Sequence, residues 1–339
     1  MFRRVYDYSG DVAPHLDPAN NFQRKAELFN SDGSPKFNID WQKEATTTAF
    51  SNNSSLSFSS GRERLSSFFN ISFNDQQGIM LNSDLKRLNA FANIIGDARP
   101  WLHLQTVITA GGQEGGNVDL NLFGLNAIRE MYEFLPFLPV RYADGTYSMK
   151  GDYPNAENSE NPVKLLNEVK DKTGNIYGNG SFVMTANLGK KFDLTSSWGG
   201  QLNASFHNYY SNKDVFGYSL TQNGVAQRTN GFSTGWTNED YLTYHDQFGR
   251  HSLNIVGGAS WYYNSVNSTF AGSENYFDDH FTYNSLQTGT VYEQPTSSQI
   301  SYSFNSYYLR ANYNFDDRYL LGASMRADGS SRFGANNKY

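Results

Sequence analysis

With 339 residues, no cysteine, a formal charge of -6 and a pI near 5.5, the chain cannot rest on a disulfide framework or a cysteine-ligated zinc, and it has no basic run to neutralise the phosphates of a nucleic acid. Charged residues make up 18%, below the roughly 25% typical of soluble domains, whereas 23 Tyr and 25 Phe raise aromatics to 16%. No stretch approaches the roughly 18 apolar residues of a membrane helix and mean hydropathy is -0.62, which excludes a helical membrane protein but not a barrel, whose strands alternate apolar-out and polar-in. The N-terminus, Met1-Phe2-Arg3-Arg4-Val5-Tyr6, carries positive charge without an apolar stretch and does not read as a secretory signal.

Residues 55–60 and 65–73 alternate on either side of Gly61-Arg62-Glu63-Arg64 and predict a long hairpin with a tight turn. Residues 87–95 and 101–109 predict a second around 96–100, after the short connection 74–86. A connection of about 70 residues follows at 111–180; loops this long are usually functional. Within it, 120–135 shows approximate helical spacing stopped by Pro136 and Pro139, and 161–171 opens on Pro162 as another short helix.

A third hairpin is predicted from 181–189 and 198–210. Trp198, Gly200, Leu202, Ala204 and Phe206 fall on one face, and Gln201, Asn203, Ser205 and His207 on the other. After a connection at 211–240, residues 241–247 and 252–264 form the fourth hairpin around Phe248-Gly249-Arg250-His251. After another at 265–306, residues 307–315 and 319–327 form the fifth around Asp316-Asp317-Arg318. The fold class is therefore all-β, antiparallel, with about ten strands joined alternately by short turns and long loops. Strands of about 9 to 11 residues are long enough to cross a bilayer at a tilt, and the lopsided connections are those of an outer-membrane barrel with short periplasmic turns and long extracellular loops. Aromatic pairs such as Tyr209-Tyr210, Tyr262-Tyr263 and Tyr307-Tyr308 suit an interfacial girdle, or simply the preference of aromatics for strands.

Catalytic chemistry is not legible. None of the six His lies in a ligand-spaced motif, and Asp278-Asp279-His280 reads as a solvated loop run. Gly174, Gly178 and Gly180 lack the spacing of a phosphate cradle. Asp144-Gly145 and Asp328-Gly329 read as turns rather than calcium loops, and there is no Gly-x-Ser-x-Gly elbow. The expectation is no enzyme, no metal and no cofactor.

Several segments carry a specific resemblance: Asp40-Trp41-Gln42-Lys43-Glu44 entering the first long strand, Asn74-Asp75-Gln76-Gln77-Gly78-Ile79, Lys86-Arg87-Leu88-Asn89, Leu138-Pro139-Val140, Asp144-Gly145-Thr146-Tyr147 and Asn161-Pro162-Val163-Lys164-Leu165-Leu166. The strongest is Asp317-Arg318-Tyr319-Leu320-Leu321 running through Arg326-Ala327-Asp328-Gly329-Ser330-Ser331-Arg332-Phe333-Gly334. In this order the chain resembles the SusC-type (RagA-like) TonB-dependent outer-membrane transporters of Bacteroidetes. The resemblance implies a partial chain, with 1–40 a lead-in after a plug domain that is not recognisable here and 41–339 the first part of a barrel of about 22 strands. It implies import of oligosaccharides or peptides across the outer membrane of a Gram-negative cell. It also implies a SusD-like surface lipoprotein as partner and energy from the TonB complex through an N-terminal region absent here. About ten strands cannot close around a plug, so this segment alone is expected neither to insert nor to transport.

Six residues stand out as contacts for substrate or partner. Arg326, Asp328 and Arg332 are the charged part of the best motif, on the lumen or the extracellular rim, or else a local charge network fixing a strand end. Trp236, Tyr276 and Phe277 are expected in long loops, where aromatic faces stack on sugar rings or pack against a partner. Two other readings remain open: a siderophore-type TonB-dependent receptor without a SusD partner, and a secreted β-sandwich or β-helix that binds or cleaves glycans.

Overall fold

The computed structural model describes residues 25–116, 121–122, 125–149, 152, 160–215 and 222–334. Two short helices, α1 (Lys25–Leu28) and α2 (Trp41–Ala45), precede strands β1 (Ser51–Arg62), β2 (Leu65–Gln77), β3 (Asp84–Arg99) and β4 (Leu102–Gly116). A two-residue ladder of β5 (Asn121–Leu122) and β6 (Leu125–Asn126) leads into α3 (Ala127–Glu133), and α4 (Pro162–Glu168) runs straight into β7 (Val169–Asn187). Then come β8 (Phe192–Ser211), β9 (Val225–Phe248), β10 (His251–Tyr276), β11 (Gly289–Phe315) and β12 (Tyr319–Ser330).

Apart from the small ladder, every strand pairs antiparallel with its sequence neighbour in one sheet ordered β1-β2-β3-β4-β7-β8-β9-β10-β11-β12. All five hairpin turns lie at one end. Gly189 (φ +86°) and Gly249 (φ +62°) serve two of them, and Asp316 and Asp317 (both φ +52°) the last. Glycine adopts this left-handed backbone without strain, and Asp is among the few other residues that tolerate it. Neighbouring turns are tied together: Asp316 N–H donates to the Arg250 carbonyl at 2.8 Å.

The strands are longer than the alternation predicts. Residues 225–240, expected in a loop, are the first part of β9, while β10 and β11 reach 26 and 27 residues, so the connections shrink to 212–224 and 277–288. The cause is compositional. Stretches such as Thr234, Ser265, Ser298 and Ser301 place small polar residues on both faces, leaving no contrast to read, and only pairing to neighbours holds them extended. Helix α3 is shorter than the predicted 120–135, of which residues 120 and 123–124 lie outside the described residues. Its start is set by Asn126, whose Oδ1 accepts from Ile128 and Arg129 N–H at 3.0 and 3.2 Å. Asp40 does not open a strand: it caps α2, accepting from Lys43 N–H at 3.2 Å, and β1 begins at Ser51.

Pairing aligns the two faces across the sheet, because residues directly opposite one another project the same way. One row reads Leu56, Ile71, Ala90, Ala110, Gly178, Leu202; the next reads Ser57, Asn70, Phe91, Thr109, Asn179, Gln201. At the other edge Leu309 opposes Met325 and Tyr313 opposes Leu321, while Tyr308 opposes Arg326 and Arg310 opposes Ser324. Leu56, Leu321 and Met325 are each about 70% exposed, so a wide apolar surface is left uncovered among the described residues. Such an area does not survive in water on a soluble monomer.

The compact apolar core sits instead at the long-loop end. Leu28, Trp41, Met80, Phe134, Leu138, Val163, Leu165 and Leu166 bury one another there. Trp41 packs edge-on against Phe134, with centroids 5.0 Å apart, and donates from Nε1 to the Leu135 carbonyl at 3.1 Å. Asn161 uses its whole amide: Oδ1 caps α4 by accepting from Val163 and Lys164 N–H, and Nδ2 donates to the Val140 carbonyl at 3.0 Å. The scattered motifs around Asp40, Leu138, Asp144 and Asn161 thus belong to one packed unit.

Candidate functional site: the polar face of the sheet

A bonded cluster on the polar face lies on β9 to β12. Register brings Glu239, Ser260, Ser306 and Asp328 into one row, and Tyr241, Gly258, Tyr308 and Arg326 into the next. Tyr308 reaches across two strands and donates from its hydroxyl to Glu239 Oε1 at 2.8 Å. It passes over Gly258, where a Cβ would lie 2.7 Å from the Tyr308 hydroxyl and 2.6 Å from Tyr241 Cβ. Arg326 donates from Nε to Asp328 Oδ1 at 2.7 Å and from Nη2 to Ser306 Oγ at 3.1 Å; Ser306 in turn donates to Asp328 Oδ1 at 2.5 Å. Beside them the Arg332 guanidinium lies 3.9 Å over the Tyr302 ring, and Tyr302 packs edge-on to Phe304. Ser260, Tyr262, Phe304, Ser306, Arg326 and Asp328 line a recess of about 380 Å³.

A second groove of about 590 Å³ crosses the same face nearer the long-loop end, lined by Gln113, Thr173, Asn175, Asn203, Ser205, His207, Thr229 and Ser268 among others. Its polar groups are engaged with one another. Asn175 donates to Asn203 at 2.9 Å, His207 Nε2 sits 2.7 Å from Asp171 Oδ1, and Arg87 donates to Gln113 at 3.0 Å. The arrangement offers amide and hydroxyl groups in a wall.

Of the six singled-out residues, Arg326 and Asp328 line the β11–β12 recess, and Arg332 lies over the Tyr302 ring. The others are elsewhere. Trp236 is not in a loop: it lies within β9 opposite Gly200 and Tyr263, on the apolar face. Tyr276 is the last residue of β10 and fully buried, packed edge-on against Tyr210 at 5.6 Å. Phe277 follows it and is exposed. Sequence reasoning missed Glu239, Ser306, Tyr302 and Tyr308. Tyr308 shares the polar side of its strand with Arg310 and Asn312, which was a usable signal; Glu239 lay in a segment that carries no alternation.

No family profile matches the chain. Among curated proteins it is 27% identical over 322 residues to the TonB-dependent receptor P3 of Formosa agariphila, spanning 89% of this chain and 30% of that one. Against the TonB-dependent receptor SusC of Bacteroides thetaiotaomicron the identity is 24% over 338 residues, spanning 89% and 31%. The chain is a relative of the SusC-type TonB-dependent receptors. It spans about a third of the length of these curated relatives. The fold agrees: the RagAB peptide importer in its open-open state superposes with a TM-score of 0.74 at 18% identity, over 95% of this chain and 37% of that one. The RagAB peptide transporter gives 0.70 over 89% and 34%. The ten-stranded sheet of this TonB-dependent receptor relative is thus an antiparallel segment of a transmembrane β-barrel, with its short turns at one rim and its long loops at the other.

Proposed function

We propose that the chain forms part of the wall of a TonB-dependent active importer of oligosaccharides or peptides in the outer membrane of a Gram-negative cell. It works with a SusD-like surface lipoprotein, draws energy from the TonB complex, and catalyses no reaction. Residues 41–339 are the first part of the barrel, and 1–40 lead into it from a plug; residues 1–24 lie outside the described residues. The single observation that carries this reading is the register, which separates a largely apolar surface from a wall of Asn, Ser, Gln, Thr and Arg side chains across the sheet. A surface of the first kind is stable against lipid, and one of the second kind against a hydrated path. In this reading Arg326, Asp328 and Arg332 contribute to the lumen wall, and Phe277 to a loop at the extracellular rim.

The test is uptake by cells carrying the complete receptor gene, its deletion, and a deletion of tonB. Loss of growth on one class of glycan or peptide in both deletions, with a SusD-like lipoprotein co-purifying with the receptor, is the expected result. Loss of iron uptake from a siderophore alone would replace the proposed cargo. Unchanged growth on every glycan and peptide source would remove the importer reading.

A further inference from the structure

The short-turn rim carries its charges unevenly. On the β8 to β12 side the turn cations have carboxylate partners: Lys191 Nζ lies 2.6 Å from Asp246 Oδ2, and Arg250 and Arg318 lie 3.6 and 3.8 Å from the two oxygens of Asp316. On the β1 to β7 side, Arg62, Arg64, Arg99 and Lys190 are exposed, and among the described residues none of them meets a carboxylate. Arg99 donates only to the neighbouring Ala98 carbonyl, at 3.3 Å. Glu63 is the only carboxylate within these three turns, residues 62–65, 99–102 and 187–192, so they hold an excess of positive charge in a chain whose formal charge is -6.

Two of these cations lie on the apolar face. Arg62 follows Leu56, Phe58 and Ser60 at every second position of β1, and a bulge between Asp97 and Arg99 sets Arg99 opposite Leu102, on the side of Leu104 and Ile108. Trp101, half exposed, sits in the same turn as Arg99, where an indole suits the headgroup level. Asp97 N–H donates to the Arg64 carbonyl at 2.8 Å and ties the first two turns together. On the same face Leu56, Phe58, Phe69, Ile71, Ala92 and Ile108 line a furrow of about 340 Å³. Phe58 and Leu56 are four and six residues from Arg62, about 13 and 20 Å along the strand and less in depth because membrane strands tilt. One leaflet is half of a hydrocarbon core of about 30 Å, so an acyl chain lying in the furrow leaves its phosphate at the turns.

We propose that the outer face of β1 to β4 is a binding site for one anionic phospholipid of the leaflet at the short-turn rim, with Arg62 and Arg99 on the phosphate and an acyl chain in the furrow beside Phe58 and Ala92. Arginine grips a phosphate through paired N–H bonds. The excess positive charge of the three turns favours a headgroup of net negative charge over a zwitterionic one. The site rests on the membrane-spanning reading of the sheet and does not depend on what the receptor carries.

Native mass spectrometry of the complete receptor, mixed with equal amounts of phosphatidylglycerol and phosphatidylethanolamine of identical acyl chains, counts the lipid that each folded barrel retains. Wild type should retain phosphatidylglycerol over phosphatidylethanolamine by about fivefold or more. Arg62→Gln combined with Arg99→Gln should bring the two lipids close to parity, whereas Arg250→Gln combined with Arg318→Gln should keep the wild-type ratio. Ala92→Phe, which fills the furrow, should lower retention of phosphatidylglycerol. Equal retention of both lipids by wild type would overturn the proposal even if no variant folded, as would an unchanged ratio in the Arg62 and Arg99 double variant. Loss of the preference in the Arg250 and Arg318 double variant would assign it to the rim at large, and unchanged retention in Ala92→Phe would detach it from the furrow; either result overturns the site. A heat-modifiable folded band in the same preparation separates loss of the site from loss of the barrel, and no readout involves cargo.

Discussion

Trp41 and Leu135 are 94 positions apart and share a hydrogen bond of 3.1 Å, from the indole N–H to a main-chain carbonyl beside the last turn of α3. This bond fastens the segment before the first strand to the long connection after the fourth. Replacing Trp41 by Ala removes the donor and most of the side chain from a buried site, at a cost of about 3–5 kcal/mol. Trp41→Phe keeps much of the ring volume and loses the bond, about 1 kcal/mol. Limited proteolysis of the complete receptor should cut within 127–169 readily in the Ala variant and hardly in the Phe variant, with the barrel still folded in both.

The register makes a sharp claim about adjacent residues. Ala204 lies on the apolar face in line with Ile176 and Phe232, and Asn203 lies on the polar face in line with Tyr177 and Ser233. An Arg at a lipid-facing position near the bilayer midplane costs about 2–4 kcal/mol, whereas an Arg facing the lumen is tolerated. Ala204→Arg should therefore reduce the heat-modifiable folded fraction in outer membranes, and Asn203→Arg should leave it near wild type. Equal behaviour of the two variants would contradict the assignment of faces.

Gly258 leaves the space that the Tyr308 hydroxyl crosses on its way to Glu239. A methyl group there meets the hydroxyl, Tyr241 Cβ and the Asp240 carbonyl, all within 2.8 Å. Gly258→Ala is expected to cost about 1–3 kcal/mol by overpacking, and Gly258→Ala combined with Tyr308→Phe should recover part of it. Folded yield in lipid, measured for the single and double variants, checks the coupling.

Asn161 serves as both cap and brace. Asn161→Asp retains the acceptor for Val163 and Lys164 but cannot donate to the Val140 carbonyl, and it adds a charge beside Glu160. Asn161→Ala loses the helix cap, about 1 kcal/mol, together with the brace. Both should increase exchange across 160–169. The Asp variant should improve as pH falls and its carboxyl protonates, whereas the Ala variant should gain nothing at this position.

Recognition of the hairpins needed only local information. Alternation of Trp198, Leu202, Ala204 and Phe206 against Gln201, Asn203 and Ser205 states both the strand and its faces, and Gly249 or Asp316-Asp317 states where the chain reverses. Where the contrast disappears, as in β9 before Asp240, extended structure exists only because β8 and β10 pair with it, and pairing is not a local property. Trp236 was misplaced for that reason. The recess was half legible: Arg326 and Asp328 are two residues apart on one strand, but Ser260, Tyr262 and Ser306 reach it from other strands.

By itself, the sequence determined a two-faced antiparallel meander with short turns at one end, and its motifs named the relatives, because side-chain alternation and turn chemistry act over a few residues. Only the tertiary structure decided that residues around Trp41, Phe134 and Asn161 condense into one core, that Glu130 and Glu160 meet inside it, and that the strands run well past their legible portions. Those outcomes depend on burial and cross-strand hydrogen bonds between residues distant in the chain, and no local pattern records which partners will meet.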